Sequence, residues 1–232
     1  MITHGRRLAA EAILVTACLM FGATGATQAS SRHLDDLDLA SSADPAPPHI
    51  SDIDLAVSFD RAHGRKVKAD AAATASTTCD NCTGKATTVQ VIYLGNTRRA
   101  STHNVATAWS TSCRDCRATA VSVQLVVMRP GTSLTARNRA LAVNAACESC
   151  ATTSAAYQLI VVTKSAQMLS SDGKARLQAL ASQLASQLQP AGLSTARAAR
   201  AAKQADVPSV DSLVRAELQP TSVRRHLDVK IG

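Results

Sequence analysis

Two periodicities run along this chain. Between residues 70 and 165 apolar and small polar residues alternate with a period of two. Val121, Val123, Leu125 and Val127 alternate with Ala120, Ser122, Gln124 and Val126, and Tyr157, Leu159 and Val161 repeat the pattern. Residues two apart share one face of a strand, so these stretches predict β-strands with one apolar face. Just upstream, Ala106, Ala108 and Ser110, and again Ala140, Ala142 and Asn144, form a small, mildly polar face. The opposite face there carries Thr107 and Trp109, or Leu141 and Val143. Beyond residue 170 the period changes. Leu177, Leu180, Leu184 and Leu188 fall three and four apart, which predicts an amphipathic helix capped by Asp172 and ended by Pro190 and Gly192. Pro208 opens a second predicted helix with Leu213, Val214 and Leu218 as its apolar stripe. A terminal helix of this kind is expected to cover the last open edge of a repeat stack.

The strand pattern belongs to a repeat. Cys79-Asp80-Asn81-Cys82, Cys113-Arg114-Asp115-Cys116 and Cys147-Glu148-Ser149-Cys150 recur at intervals of 34 residues. Their flanks recur in the same frame, with Gln90, Gln124 and Gln158 downstream and Asp70/Asn104/Asn138, Ala72/Ala106/Ala140 and Ser76/Ser110/Asn144 upstream. A fixed period is the mark of stacked units that bury their apolar faces on one another. The helical reading of a 34-residue period, a tetratricopeptide array, fails because the period-two alternation and the missing Trp, Leu-Gly and Pro markers argue against it. The fold class is therefore mainly β, with three strand–CxxC–strand repeats over residues 70–169 and C-terminal α-helices over 170–232. Two arrangements satisfy this: an antiparallel sheet or sandwich of hairpins, or a short β-solenoid. In a solenoid, equivalent residues stack about 4.8 Å apart, and Gln90, Gln124 and Gln158 form an amide ladder. In a hairpin sheet they are a recurring solvent-facing row.

Composition adds compartment and constraint. Residues 1–29 read as a secretory signal: Arg6 and Arg7, an apolar stretch over Ile13 to Phe21, and the small-residue end Thr27-Gln28-Ala29. A lipoprotein variant, with Cys18 acylated, is the lesser alternative. Residues 30–69 read as an acidic, Pro-containing linker expected to be disordered, since residues 30–60 hold seven Asp against one Arg. Of the 232 residues 44 are Ala, so the core is thin for the length. Six cysteines remain after signal removal, and an even count in an exported chain favours disulfides. Pairing within each motif is the simplest connectivity, and a ladder between coils is also geometrically open. Zinc held by the same cysteines is the alternative cofactor; the first expectation is none. Here 30 residues separate consecutive motifs, no His adjoins them, and three pairs leave one unmatched. Thiol–disulfide redox chemistry is the one enzymatic alternative, because CxxC pairs in other settings do this work. No metallopeptidase, hydrolase or phosphate-loop motif occurs, and no catalytic set is assigned.

The net charge of +8 is unevenly spread, with residues 30–60 at −6 and residues 61–170 at +9. Arg114, Arg117, Arg137 and Arg139 are the candidate anion contacts. Only Tyr93, Trp109 and Tyr157 supply aromatic rings in the repeats, too few for a base-stacking platform, so nucleic acid is not an expected partner. An anionic envelope polymer or another envelope protein is.

The pattern Asn-x-Ala-x-Ala-x-Asn-x-x-Cys-x-x-Cys followed by Gln-hydrophobic-Val is fullest from Asn138 to Val162. It resembles CxxC repeats of secreted or envelope proteins of actinobacteria that have no assigned activity. The first copy departs from the pattern, with Asp70 and Ser76 in place of Asn. The resemblance covers residues 70–165 and implies an envelope location, but it carries no catalytic residues. The expectation is a secreted or cell-envelope structural or binding module, non-enzymatic and stapled by disulfides.

Overall fold

The computed structural model describes residues 34–165, 167–188 and 207–232. The predicted signal segment, Cys18, the helix stop at Pro190 and Gly192 and much of the basic tail lie outside them. The chain winds as a four-coil β-solenoid, which resolves the two arrangements left open above. The strands are β1 (Leu34–Asp36), β2 (Leu39–Ala43), β3 (Ser51–Ala62), β4 (Lys66–Thr77), β5 (Thr83–Leu94), β6 (Arg99–Thr111), β7 (Arg117–Met128), β8 (Ser133–Ala145), β9 (Ala151–Val162) and β10 (Ser222–Ile231); the helices are α1 (Ser171–Gln187) and α2 (Val207–Leu218). One parallel sheet, the front sheet, stacks β1 and β2, β4, β6 and β8. The other, the back sheet, stacks β3, β5, β7 and β9 in parallel and adds β10 antiparallel at its end.

Small side chains set the spacing between the sheets. Ala73, Ala75, Ala106, Ala108 and Ala140 of the front sheet meet Ala86, Ala118, Ala120 and Ala156 of the back sheet in one buried cluster. Larger residues, Val67, Ile92, Leu94, Val126, Met128 and Ile160, fill the opposite end of each coil. The abundance of alanine is thus a geometric requirement: two flat sheets can approach closely only if their facing side chains are short. The large apolar residues are instead on the outer side of the back sheet. There Val89, Val91, Tyr93, Val123, Leu125, Tyr157 and Leu159 are covered by Leu177, Leu184 and Leu188 of the α1 segment and Leu213, Val214 and Leu218 of α2.

Several expectations are corrected. Residues 34–62, read as part of a disordered linker, form β1, β2 and β3, a first coil whose corner carries Pro45-Ala46-Pro47-Pro48 where later coils carry CxxC. Their charge made them look unfoldable, but the carboxylates serve the edge of the stack. Asp54 accepts a hydrogen bond from the backbone N–H of Ser42 and Asp52 from that of Asp44, both at 2.7 Å. Asp35 accepts from His63 and Gly64, both at 2.6 Å. These Asp residues satisfy backbone donors and help make the edge unattractive to another strand.

The helices cover a sheet face, not the terminal edge; the edge of the back sheet is closed by β10, which lies in the stretch expected only as a basic tail. The N-cap of α1 is Ser170, whose hydroxyl accepts from Gly173 N–H at 2.9 Å, and Asp172 sits in the first turn. Finally, the first-copy frame slips by one. The front-sheet register pairs Ala71 with Asn104 and Thr77 with Ser110, a separation of 33 residues, whereas β6 and β8 pair at 34. Coil 3 carries Thr111 and Ser112 between Ser110 and Cys113, and coil 2 has only Thr78 between Thr77 and Cys79. The added residue is absorbed by a left-handed backbone at Ser112 (φ 53°), repeated at Ala146 (φ 50°). Ala71 therefore stands in the Asn104 and Asn138 row where Asp70 was expected, and Asp70 points to the outer face beside His103.

Candidate functional site

Three groups of predicted residues can be placed. The glutamines stack inward from β5, β7 and β9, fully buried. Gln124 donates to Gln90 Oε1 at 2.7 Å and Gln158 to Gln124 Oε1 at 2.6 Å, while Gln90 donates to the Leu37 carbonyl at 2.6 Å. This is the amide ladder, and it is interior, not solvent-facing. A second, shorter row was not anticipated as a ladder: Asn104 donates to Asn138 Oδ1 at 2.7 Å, and Ser122 donates to Asn104 Oδ1 at 2.6 Å. Each buried amide here replaces water with its copy one coil away. Their role is to hold coils in register.

The cysteines form a column at the corners between front and back strands. Each corner turns on a left-handed residue at the third position of the motif, Asn81 (φ 59°), Asp115 (φ 55°) and Ser149 (φ 55°). Gly84, just after the first CxxC corner, stands where a Cβ would lie 2.9 Å from the Ser76 carbonyl oxygen, so a larger residue there would force the backbone to shift. Cys79 with Cys82 and Cys113 with Cys116 stand at disulfide distance, as within-motif pairs. Cys147 and Cys150 are half-buried thiols. Cys113 Sγ lies 3.6 Å from Cys147 Sγ and 3.8 Å from Cys150 Sγ. Burial pushes the Cys150 thiol up to about 11, with its contact to Cys147 adding to the shift. Cys113, Cys116 and Cys150 lie within 4.8 Å of one another, close enough to share a metal ion. A metal site on these three sulfurs requires the Cys113–Cys116 bond open, because bonded sulfurs are not thiolate ligands.

The four arginines do not converge. Arg114 pairs with Glu148 at 3.0 Å across adjacent corners, and Arg117 begins β7 on the back sheet. Arg137 and Arg139 stand together on the outer face of β8, exposed and with no acidic partner among the described residues. That face carries no helix among the described residues. On it His103 neighbours Arg137, Val105 neighbours Arg139, Thr107 neighbours Leu141 and Trp109 neighbours Val143. Leu141 and Val143 are 41% and 42% exposed. At the opposite edge of the face Lys68 bridges Asp70 at 3.0 Å and Asp36 and Asp38 at 3.7 Å. Its hydrogen bond to Asp70 first, and then the surrounding carboxylates, hold the ammonium above its ordinary pKa. The front face thus runs from an acidic, internally paired side to a basic one whose Arg137 and Arg139 have no acidic partner among the described residues.

No helix among the described residues is long and apolar enough to cross a membrane. Comparison with protein-family models, curated proteins and solved structures finds no match for this chain.

Proposed function

We propose that this chain is a secreted or cell-envelope binding module, non-enzymatic in its main role, whose rigid solenoid displays the front sheet to an anionic envelope polymer. The observation that carries this reading is the asymmetry of the two outer faces. The back face is covered by two helices, whereas the front face keeps Trp109, Leu141 and Val143 beside the unpaired Arg137 and Arg139. A flat face with apolar and cationic side chains held at strand spacing suits an extended anionic chain better than a compact small molecule, which favours a concave site. The resemblance to envelope CxxC repeats and the signal-like segment support the location.

The test is retention on an immobilised sulfated polysaccharide. Replacing Arg137 and Arg139 together by Ala is expected to weaken binding about tenfold, two screened charge contacts of roughly 0.7 kcal/mol each. Added salt is expected to weaken the wild type more than the variant. Equal retention of both proteins overturns the assignment of this face.

The Cys113 to Cys147 contact favours one further reading, thiol–disulfide chemistry at the corners.

A further inference from the structure

We propose that the corner groove between coils 3 and 4 is a thiol–disulfide exchange site, in which the Cys147/Cys150 dithiol passes two electrons to the Cys113–Cys116 disulfide. The proposal does not depend on polymer binding, because the groove lies at the corners and not on the front face.

Three observations carry it. The first is proximity: Cys147 Sγ lies 3.6 Å and Cys150 Sγ 3.8 Å from Cys113 Sγ, while Cys113 and Cys116 stand at disulfide distance. A disulfide sulfur in contact with two thiols is the arrangement from which exchange starts. The second is access. Cys113 is 6% exposed and Cys116 fully buried, whereas Cys147 and Cys150 are half-buried. An open groove of about 640 Å³, lined by Cys113, Cys147, Asn144, Asp80 and the Arg114–Glu148 pair, exposes the contact from outside. The groove thus opens onto the Cys147–Cys113 contact, while Cys116 behind it is sealed from outside. The third is selectivity. Between coils 2 and 3 the corner is one residue shorter. Both corners share an Sγ-to-carbonyl contact, Cys116 to Cys79 at 3.2 Å and Cys150 to Cys113 at 3.4 Å, but sulfur–sulfur contacts between coils join only Cys113 to Cys147 and Cys150 among the described cysteines. The Cys79–Cys82 pair is insulated from the exchange.

The steps balance within the chain. Cys147, as thiolate, attacks Cys113 Sγ; the Cys113–Cys116 bond breaks, and Cys116 leaves as thiolate and takes up the proton that Cys147 released. Cys150, as thiolate, then attacks Cys147; the Cys113–Cys147 bond breaks, and Cys113 leaves and takes up the proton from Cys150. Coil 4 is oxidised by two electrons and coil 3 reduced by two, with no external oxidant. Cys147 is the first attacker because it is the nearer sulfur and lines the open groove.

The experiment is a disulfide map of the full chain. The protein is held in mildly alkaline buffer, quenched in acid, alkylated with N-ethylmaleimide and cut with trypsin without reduction. Cleavage after Arg114, Arg117 and Arg139 places Cys113, Cys116 and Cys147 on different peptides. The expected wild-type result is label on both the Cys147/Cys150 and the Cys113/Cys116 pairs, with none on Cys79 or Cys82. In Cys150→Ser the second step is blocked, and a peptide joining Cys113 to Cys147 appears with label on Cys116. In the Cys147→Ser, Cys150→Ser double variant the label on Cys113 and Cys116 is lost. Label confined to Cys147 and Cys150 in the wild type overturns the proposal. So does a protein with three closed motifs and no free thiol, or one retaining zinc on four thiolates. The wild-type map decides the matter even if a variant does not fold.

Discussion

At the residue scale the interior is held by amides that each serve two coils. Gln124 is the middle rung: its Nε2 is bound to Gln90, and its Oε1 accepts from Gln158. Replacing it with Leu, of similar volume, strands polar atoms on both neighbours, each costing about 1–3 kcal/mol when buried without a partner. Gln124→Leu is expected to lower unfolding free energy by about 2–4 kcal/mol in a urea titration. Gln158→Leu should cost less, since its own Oε1 already lacks a partner. The corners offer the opposite opportunity. Ala146 adopts φ 50°, where a Cβ is disfavoured by about 1 kcal/mol. Ala146→Gly is therefore expected to stabilise by about 0.5–1 kcal/mol in the same titration. The within-motif staples contribute modestly. A closed loop of about four residues removes only about 2 kcal/mol of unfolded-chain entropy, against about 4 for a bond between coils. Stacking, not crosslinking, is the main restraint.

At the element scale each strand has two apolar problems and solves them differently. The inward side is kept small at the end of the coil near the CxxC corners so that the sheets meet there, and the outward side of the back sheet is large and needs the helices. Docking of α1 and α2 is fastened at one end by Glu217, which accepts from Ser170 N–H at 2.9 Å and from the Ser170 hydroxyl at 3.0 Å. These two hydrogen bonds hold the Glu217 carboxyl below its usual pKa. The sign follows: its contribution is present above the ordinary carboxylate range and is lost as pH falls through the depressed folded-state value. Thermal melts are expected to show Glu217→Gln less stable than wild type at neutral pH, with the difference closing in acid. Strand and helix types were legible because their periods differ, 2 against about 3.6. The one-residue slip in coil 2 was not, because a matching frame of cysteines says nothing about how many residues turn the corner before them.

At the scale of the whole molecule, a solenoid has two open ends, and charge guards both. Asp35, Asp52 and Asp54 cap backbone donors at the first coil, and Asp228 accepts from Ala140 N–H at 2.9 Å at the last. The closing strand β10 turns Val223, Leu227, Val229 and Ile231 to the helix-covered core, with Arg225 on the same side reaching Asp211 of α2 at 3.5 Å, and Arg224, His226 and Lys230 on the other side. Its period of two was present in the sequence, hidden by the high density of charge. Removing residues 220–232 exposes the β9 edge and is expected to raise the associated fraction in light scattering. The repeat length and the strand type were determined by the sequence itself, because period and spacing act locally and recur in each copy; which polar residues pair between coils was not, since Asn104 faces Ala71 and not Asp70. Only the tertiary structure decided that the coils are parallel, that the acidic segment is the first of them, that the helices cover a face, and which arginines remain unpaired. Those outcomes depend on which side chains meet across coils, and contacts between residues some 34 positions apart are set by how the corners turn.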